Sequence, residues 1–387
     1  MRIIIIGGGI GGLTTAIALS KIGADVEIYE RAPELREVGA GIALASNALR
    51  ALDTLGLMTD LQSLSTEALQ GAIRDPGGNA ITFIPDDLSK EIGPVAIMHR
   101  AELLGMLARH IDPARLHLGR ACVGVEQDSD GILVRFETGE TVSGDAVIGA
   151  DGLRSAVRTQ LFGKQTIRYA GYTGWRGVVN FPEIANFRPS ETWGRGRRFG
   201  VVPMGGGRVY WYATKNAPEG CLDPAGRIKE ALAETFRGWH QPIEVLIAAT
   251  QEGSILRNDI YDVPPLKHFV KGKVALLGDA AHAATPNLGQ GACQAIEDAV
   301  VITACLKGFG LVEPALLEYE RRRRPRVAQI ALRSRNFGIV AQLENPVLCW
   351  LRDSIMRRSG NGAALRGMKS LLGVEILTPA ERALFES

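Results

Sequence analysis

The sequence predicts an α/β protein with a parallel α/β domain, a mostly antiparallel β-sheet inserted into that domain, and helices at the end of the chain. Three apolar runs, at residues 3–6, 146–150 and 274–277, are each followed directly by a glycine-containing turn. Continuous apolar runs of this kind are typical of parallel strands that are covered on both faces. From about residue 169 to 249, short β-rich segments alternate with Gly and Pro turns, which favours antiparallel strands.

The first fifty residues have the pattern of a β-α-β unit. Ile3–Ile6 is the first strand, and a glycine-rich turn follows it. Leu13–Ile22 is a helix that Gly23 closes, and Val26–Tyr29 is the next strand. The order strand, glycine turn, helix, strand predicts a Rossmann-like domain.

Later elements follow from the same rules. A helix over Asn47–Leu55 is expected to begin with Ser46 or Asn47 as its cap and to stop at Gly56. Arg100–Arg109 is a further helix, and residues 123–126 and 132–137 are expected to form a hairpin.

The inserted sheet is predicted from strands at Trp175–Asn180, Arg198–Val202 and Arg208–Ala213, and residues 67–98 are strand-like candidates to join it. Val274–Leu277 then returns to a parallel-type strand, so the second domain is inserted into the first. The predicted boundaries are 1–66, 99–165 and 266–335 for the first domain, 67–98 and 166–265 for the inserted domain, and 336–387 for a helical C-terminal tail.

The charge balance argues against a nucleic-acid-binding protein. Lys and Arg total 44 and Asp and Glu total 42, so the formal net charge is only +2. The run Arg321–Arg324 is local and follows a stretch with helical spacing. It is therefore interpreted as the solvated face of a helix.

Cysteine usage and hydropathy indicate the compartment. The five cysteines are scattered, with no CxxC pair and no metal-ligand cluster, so no metal site is predicted and a reducing environment is expected. No segment approaches the roughly 18 uninterrupted apolar residues of a membrane-spanning helix. We expect a soluble, cytoplasmic protein.

The turn after the first strand has the G-x-G-x-x-G pattern that binds dinucleotides. Gly7 allows the tight turn, Gly9 lets the backbone approach a pyrophosphate, and Gly11 with Gly12 lets helix and strand pack closely. Glu30 lies 18 residues after Gly12, at the end of the second strand, where a carboxylate can accept hydrogen bonds from ribose hydroxyls. The pattern by itself does not separate FAD from NAD.

The turn after the third apolar run favours FAD. Gly278 and Asp279 follow the strand directly, and a carboxylate there can bind the ribityl hydroxyls of FAD. Gly289 and Gly291 begin the following helix, whose N–H groups would face the pyrimidine edge of the flavin and stabilise its anionic reduced form. Arg100, which opens a helix, is a candidate clamp for the pyrophosphate or ribityl region.

With these motifs together, the chain resembles the class A flavoprotein monooxygenases, the family of para-hydroxybenzoate, salicylate and urate hydroxylases. The resemblance covers about residues 1–335. Within the family, residues 168–175 and 198–210 are most similar to the branch that contains urate hydroxylase and zeaxanthin epoxidase. The matching segments are Gly7–Gly12 with Glu30, Asp151–Arg158, Gly278–His282 with Pro286–Gly291, and the helix Tyr319–Arg326.

The resemblance implies an FAD enzyme in which NADH or NADPH is a transient electron donor. Dioxygen would add to the reduced flavin as a C4a-hydroperoxide, which hydroxylates a small aromatic or N-heteroaromatic substrate. No second nucleotide fingerprint occurs in the chain, as in relatives that lack a separate NADPH domain. From charge and hydropathy we expect no nucleic-acid partner and no membrane span, and the sequence does not decide between a monomer and a homodimer.

The resemblance also assigns roles to single residues. Arg198 and Tyr210 match positions that line the substrate pocket of relatives, and Asn287 would lie near the reactive edge of the flavin. Urate-hydroxylating relatives carry an acidic residue at that last position, so the amide removes an obvious general base. The remaining assigned cofactor residues are Asp151, which serves FAD and the pyridine nucleotide in relatives, Cys122, which would meet the adenine through its backbone, and Arg31 beside Glu30. His282 is expected to have a packing and hydrogen-bonding role behind the flavin.

Several alternatives stay open. One is a monooxygenase of a polycyclic or polyketide substrate such as an antibiotic, another is a flavin oxidoreductase without oxygen insertion, and a third is an FAD-binding sensor without turnover. The partly amphipathic segment 343–358 is interpreted as a cap over the inserted domain, with contact to a membrane or a partner subunit as the alternative.

Overall fold

The computed structural model describes residues 1–35, 40–67, 71–83, 91, 93–127, 131–184, 187–224, 226–359 and 362–386. Its strands are β1 (Arg2–Ile6), β2 (Asp25–Glu30), β3 (Gly41–Leu44), β4 (Thr66–Glu67), β5 (Ala72–Arg74), β6 (Ala80–Phe83), β7 (Ala96–His99), β8 (Leu116–Leu118), β9 (Cys122–Gln127), β10 (Ile132–Phe136), β11 (Thr141–Gly144), β12 (Ala146–Gly149), β13 (Arg168–Asn180), β14 (Ser190–Trp193), β15 (Arg197–Gly205), β16 (Arg208–Asn216), β17 (Leu256–Asp262), β18 (Val270–Lys271) and β19 (Val274–Leu276). Its α-helices are α1 (Ile10–Lys21), α2 (Ser46–Thr54), α3 (Met58–Leu64), α4 (Arg100–Arg109), α5 (Ala156–Phe162), α6 (Ile228–Thr235), α7 (Ile243–Ala249), α8 (Asp279–His282), α9 (Gly291–Phe309), α10 (Val312–Ala341), α11 (Pro346–Arg358), α12 (Gly362–Leu372) and α13 (Pro379–Ala383).

A six-stranded sheet forms the centre of the first domain, in the order β18-β19-β12-β1-β2-β8. Five of its strands run parallel, and the short β18 pairs antiparallel to β19. Ile3, Ile4 and Ile5 of β1 are fully buried, because α1 covers one face of the sheet and the three-stranded antiparallel sheet β9-β10-β11 packs on the opposite face. The three apolar runs of the sequence are therefore adjacent parallel strands, as predicted.

The second large sheet has seven strands, in the order β17-β13-β16-β15-β14-β5-β6, and all pairs except β14 with β5 are antiparallel. Successive side chains of a strand point to opposite faces. One face carries Phe199, Val201 and Trp211, which pack with Phe236 and Leu246 of the α6–α7 region into a separate apolar core. The other face carries the polar residues of the candidate site.

The predicted elements are confirmed to within a few residues, with one partial exception. Of the strand-like residues 67–98, β5 and β6 join the seven-stranded sheet, as expected. In contrast, β4 and β7 pair with β3 in a separate three-stranded sheet. The hairpin of β9 and β10 is present, and its turn at residues 128–130 lies outside the described residues. The domain boundaries stay predictions.

The predicted cap of α2 is wrong. The N-cap is Ala45, and Ser46 and Asn47 lie inside the helix and are buried. The Asn47 amide instead donates to Gln290 Oε1 at 3.1 Å and to Glu297 Oε1 at 2.5 Å on α9. A polar side chain near a helix start is thus used for tertiary contact, because burial requires a hydrogen-bond partner.

The interpretation of Arg321–Arg324 as a solvated face is wrong for one member. Arg323 is only 1% exposed, and its guanidinium donates to Asp298 Oδ1 at 2.6 Å and to Glu297 Oε2 at 2.5 Å. Arg321 and Arg324 are exposed, as expected. The run follows a helical period, so one residue of it necessarily faces the neighbouring helix α9.

The C-terminal tail covers an end of the seven-stranded sheet, which confirms its interpretation as a cap. The Arg352 guanidinium lies 5.0 Å from the ring centre of Trp193 in β14, and Arg357 of α11 pairs with Asp75 at 3.2 Å. Among the residues that the structure describes, none of the helices has both the length and the apolar character that crossing a membrane requires.

Candidate active site

Three turns meet at the carboxyl ends of β1, β12 and β19. The register aligns Ile6 with Gly149 and Gly149 with Leu276, so the turns that begin at Gly7, Ala150 and Leu277 lie side by side. In open parallel sheets, ligands bind outside the carboxyl ends of the strands. Segments nearly 300 residues apart in sequence thus line one edge of the sheet.

The glycines of the first turn leave a space that a side chain would fill. Gly7 has φ +115°, and a Cβ there would collide with the Ala150 carbonyl. A Cβ on Gly11 would lie 2.8 Å from Leu277, so this glycine allows α1 to pack on the sheet. A Cβ on Gly9 would meet no atom within 4 Å. The backbone at Gly9 therefore borders open space, as close approach of a pyrophosphate requires.

Two helices begin at this edge without a capping side chain among the described residues. These helices are α1, with 12 residues, and α9, with 19 residues. The first turn of each also lacks an acidic residue. Their first N–H groups and the positive ends of their dipoles are available to an anion or a polarised ring edge. Gly289, with φ +62°, and Gly291 shape the chain immediately before and at the start of α9.

Glu30 lies beside the glycine turn, as predicted. Its carboxylate accepts from the Gly8 N–H at 2.7 Å and from the Ala32 N–H at 2.8 Å. Arg31 follows it and is exposed. Cys122 begins β9, and burial raises the pKa of its thiol to about 11. The thiol is therefore neutral at physiological pH, in accordance with a contact made by the backbone alone.

Asp279 and Arg100 face the same cleft from two different elements. Each is accessible to solvent, yet the surrounding protein raises the pKa of the Asp279 carboxyl and lowers the pKa of the Arg100 guanidinium. Side chains that reach solvent, and whose charged forms the surrounding protein nevertheless disfavours, are typical of the bottom of a cleft. Within the described chain, neither the carboxylate nor the guanidinium has a hydrogen-bond partner, so both are free to bind a polar ligand.

A buried network holds the Asp279 turn from behind. Asp298 Oδ2 accepts from the Gly278 N–H at 2.9 Å and binds His282 Nε2 at 2.6 Å, while Arg323 donates to Oδ1. Burial opposes ionisation of Asp298, but His282 and Arg323 more than offset it and hold the pKa of this carboxyl well below its usual range. The predicted packing and hydrogen-bonding role of His282 is confirmed.

The Asp151 carboxylate is hydrogen-bonded to residues 155–157, which follow it closely in the chain. It accepts from Ser155 Oγ at 2.5 Å and from the N–H groups of Ala156 at 2.7 Å and Val157 at 3.2 Å. It thereby binds the start of α5. The assigned cofactor role of Asp151 stays a prediction.

Arg198 is buried on the polar face of the seven-stranded sheet, and each of its three guanidinium nitrogens donates a hydrogen bond to a protein group. Its guanidinium donates to Gln342 at 2.7 Å, Glu191 at 3.0 Å and Asn287 at 2.7 Å. It also lies 5.7 Å from the ring centre of Tyr172. Arg198 thus joins the sheet to the end of α10 and to the turn before α9.

Asn287 uses both ends of its amide. The oxygen accepts from Arg198 and from Tyr172 Oη at 3.1 Å. The nitrogen donates to Thr285 Oγ1 at 2.9 Å and to the Ser334 carbonyl at 3.0 Å. A carboxylate has no donor for the Ser334 carbonyl. These contacts explain why an amide, rather than an acid, suits this position.

Tyr210 differs from Arg198 and Asn287, because its hydroxyl has no partner among the described residues. The half-buried ring packs directly on Gly41, where any Cβ would overlap it. Burial raises the pKa of Tyr210 to about 12, against the opposing effect of Arg176. The structure therefore brings Arg198 and Asn287 together, whereas the Tyr210 hydroxyl stays without a partner among the described residues.

Sequence reasoning missed several residues of this face. The register places Arg176 opposite Tyr212 and Val178 opposite Tyr210, so Arg176 and both tyrosines share the cleft side. The alternation of β16 gives a signal for Tyr212 once Tyr210 is assigned. The contributions of Gly41 and Gln342 arise from distant segments, and no local pattern indicates them.

The residues around the cleft fit FAD. Gly9 and α1 border a space suited to the pyrophosphate, and Glu30 lies beside this turn, where it would meet a ribose. Asp279 offers an unpaired carboxylate that would bind the ribityl chain, and the first N–H groups of α9 would face the flavin. Arg100, close enough to interact electrostatically with Asp279, adds a cation without a hydrogen-bond partner in the described chain.

Comparison with known proteins gives the same answer. Residues 1–334 match the family described as the FAD binding domain. The chain is 44% identical over 361 residues to the aurachin C monooxygenase/isomerase of Stigmatella aurantiaca, which covers 92% of this chain and 94% of that protein. It is 36% identical over 346 residues to the FAD-dependent urate hydroxylase of Klebsiella pneumoniae, covering 87% of this chain and 89% of that protein.

The fold agrees with the sequence comparison. The crystal structure of Klebsiella pneumoniae HpxO complexed with FAD and uric acid superposes with a TM-score of 0.90 and 32% identity, covering 96% of each chain. The chain therefore belongs to the FAD binding domain family and, within it, is an FAD-dependent enzyme of the class A flavoprotein monooxygenases.

Proposed function

We propose that the protein hydroxylates a small aromatic or N-heteroaromatic compound, using NADH or NADPH and dioxygen. The observation that carries this proposal is the free Tyr210 hydroxyl on the sheet face that borders the cleft of Asp279 and Arg100. A planar substrate between this face and the cofactor residues would meet a tyrosine donor and the positive charge of Arg176. The substrate named for the Klebsiella relative, urate, is an N-heteroaromatic anion.

The cofactor would be held by Gly9, Glu30, Arg100 and Asp279, together with the starts of α1 and α9. When bound, FAD accepts two electrons from the nicotinamide donor and activates dioxygen at its C4a carbon, so that one oxygen atom reaches the substrate. The protein residues bind and orient the substrate next to the cofactor.

Tyr210 acts as a hydrogen-bond donor in this proposal, not as a base. Its pKa of about 12 keeps the hydroxyl protonated at neutral pH. A protonated phenol donates to a carbonyl, a phenolate oxygen or a ring nitrogen of the substrate. Arg176, on the neighbouring strand, favours a substrate with negative or carbonyl character.

Arg198 and Asn287 act as positioning residues. Their side chains are already satisfied by Glu191, Gln342 and Tyr172, so they hold the wall of the pocket rather than the substrate. The absence of an acid at position 287 means that no carboxylate there removes a proton from the substrate.

The test is NADH and NADPH oxidation by the FAD-loaded enzyme with phenols, aromatic acids, pyridines, purines and polycyclic quinones. We expect one class of small ring compound to stimulate oxidation and to gain one oxygen atom per nicotinamide consumed. Oxygenation only of polycyclic compounds would point to the larger-substrate alternative. Ligand-independent oxidation that yields peroxide alone would contradict oxygen insertion.

Tyr210→Phe tests the residue that carries the proposal. Loss of one hydrogen bond of about 0.5–1.5 kcal/mol should lower kcat/KM by roughly two- to tenfold without changing FAD affinity. Tyr261→Phe, on the edge strand β17, is the matched control and should keep wild-type kinetics. Equal kinetics for Tyr210→Phe and wild type would remove Tyr210 from the substrate site.

A further inference from the structure

Helix α11 turns an apolar face to solvent. Within it, Cys349 and Arg352 are buried, while the outward side chains are aliphatic or aromatic. Trp350 is 65% exposed and Ile355 is 53% exposed. We call these residues the outer face of α11: Val347, Leu348, Trp350, Leu351 and Ile355.

This arrangement is the reverse of an ordinary surface helix, which buries its apolar side and exposes its polar side. Here the charged residue Arg352 faces inward, where its guanidinium lies over Trp193 and pairs with Asp353 at 2.7 Å. Its Nη1 also donates to the carbonyl of Val340, which is itself an exposed apolar residue at the end of α10.

The outer face ends in positive charge. Arg358 lies seven residues after Leu351, so it shares the same side of the helix, and it is exposed. Arg357 precedes it and pairs with Asp75 at 3.2 Å. Since Arg352 is buried against Asp353 and Arg357 is neutralised by Asp75, Arg358 supplies the uncompensated positive charge at this end of the outer face.

The size of the outer face decides between a second protein copy and a lipid surface. A stable protein interface uses roughly 20–30 residues on each partner, whereas this helix offers five apolar side chains. Shallow insertion into a bilayer needs only one such face, with aromatic and aliphatic residues at the acyl boundary and arginines at the headgroups. Charge complementarity then favours anionic lipid.

We propose that the outer face of α11 docks the protein on an anionic lipid surface. Trp350, Leu351 and Ile355 enter the boundary between headgroups and acyl chains, and Arg358 contacts the phosphates. The helix lies parallel to the surface and does not cross it. Since α11 covers one end of the seven-stranded sheet, docking holds the substrate domain next to the lipid.

The test is co-sedimentation of the full-length, FAD-loaded protein with vesicles. One set contains equal parts of phosphatidylcholine and phosphatidylglycerol, and the other contains phosphatidylcholine alone. We expect binding to the anionic vesicles to be several-fold stronger and to weaken with salt. Equal binding to both sets, or no binding to either, would overturn the proposal.

A triple variant tests whether the outer face of α11 makes the contact with lipid. Trp350→Ser, Leu351→Ser and Ile355→Ser together should lower partitioning onto anionic vesicles by at least about tenfold, because three inserted side chains are lost. The matched control replaces three exposed leucines elsewhere, Leu222, Leu311 and Leu317, by Ser and should bind like wild type.

The same variants distinguish lipid binding by the outer face of α11 from association of that face with a second copy of the protein. Sedimentation equilibrium in the absence of vesicles should give the same mass for wild type and triple variant. A wild-type dimer that the triple variant dissociates would mean that a second copy covers the face, and it would overturn the proposal. Vesicle binding that survives in the triple variant would place the lipid site elsewhere. Retained FAD and NADH oxidation confirm that the variants fold.

Discussion

The side chain of Asn287 makes hydrogen bonds to three other elements of the structure. Asn287 lies in the turn that precedes α9, and its side chain links that turn to β13, β15 and α10 through Tyr172, Arg198 and Ser334. Burial raises the pKa of Tyr172, so its hydroxyl stays protonated and donates to Asn287. The Asn287 amide thus links the turn before α9 to the inserted sheet and to α10 by hydrogen bonds.

Asn287→Ala should destabilise the protein. The substitution leaves the Arg198 guanidinium, the Tyr172 hydroxyl and the Ser334 carbonyl without their partner, at a cost of about 1–3 kcal/mol. Urea unfolding followed by tryptophan fluorescence measures the change. Asn180→Ala, at the exposed end of β13, is the control and should stay within about 0.5 kcal/mol of wild type. An equally stable Asn287→Ala variant would show that the network carries no net free energy.

Asp279→Asn should have opposite effects on apoprotein stability and on FAD binding. The folded protein raises the pKa of this carboxyl above its ordinary 3.8, so folding favours the neutral form. At low pH the carboxyl is protonated in both states, and wild type and variant should be equally stable. As the pH rises, the ionised wild type loses stability, and the variant apoprotein should become the more stable one.

The FAD affinity of the same variant should fall. Hydrogen bonds from ribityl hydroxyls to a charged acceptor are worth about 1.5–3 kcal/mol, which corresponds to roughly ten- to hundredfold in Kd. Fluorescence titration of apoprotein with FAD measures the loss, and pH-dependent unfolding measures the gain. A variant that loses stability and keeps FAD would assign Asp279 a structural role.

At the scale of elements, the contact between α9 and α10 depends on buried ion pairs. Arg323 and Arg326 of α10 meet Glu297, and Arg323 also meets Asp298. Burial opposes the ionisation of Glu297, but the two arginines and Asn47 lower its pKa to about 2. Because Asp298 also binds the Gly278 N–H, this helix contact fixes the turn that presents Asp279.

Arg323→Ala should cost about 3–5 kcal/mol, because Glu297 and Asp298 each lose a charged partner while buried, although Arg326 and His282 remain beside them. The stabilisation by Glu297 is present above its ordinary pKa of 4.5 and is lost as the pH falls toward about 2. The stability difference between variant and wild type should therefore be largest near neutral pH and narrow in acid. Denaturant unfolding across this pH range measures it.

Arg321→Ala is the matched control within the same arginine run. Arg321 is exposed and pairs with Glu318 one turn away, so its loss should change stability by less than about 1 kcal/mol. Equal effects of the two substitutions would contradict the assignment of Arg323 to the interior.

For the whole molecule, the cofactor site depends on segments that only the complete fold brings together. Gly9, Arg100 and Asp279 come from three parts of the chain and face one cleft. A ligand that contacts all of them favours the folded state over the unfolded one. Its binding free energy therefore adds to the stability of the entire protein.

FAD should raise the Tm of the apoprotein in a concentration-dependent way. At a hundred times its Kd, a ligand adds about 2.7 kcal/mol. Riboflavin lacks the pyrophosphate and adenosine that the Gly9 turn and Glu30 would bind, so its effect should be much smaller. Thermal scans with FAD, FMN and riboflavin provide the comparison. Equal shifts for FAD and riboflavin would mean that the glycine turn does not bind the pyrophosphate.

The sequence alone determined the local parts of this protein. Apolar runs ending in glycine turns predicted adjacent parallel strands, and the glycine pattern with Glu30 and Asp279 predicted an FAD enzyme, because strand covering and phosphate approach impose residue types over short spans. The same local rules predicted α4 to the residue.

Only the tertiary structure decided how polar side chains are used. Local rules assign Asn47 to a cap and Arg323 to solvent, yet both meet Glu297 on α9, since buried polar groups take the partners that packing brings to them. Likewise, the resemblance assigns Arg198 to the pocket lining and Asn287 to the flavin edge, but the fold makes them partners of each other, while the Tyr210 hydroxyl has no partner among the described residues. Contacts between residues far apart in sequence leave no local pattern, so folding decides which polar groups remain available for the reaction.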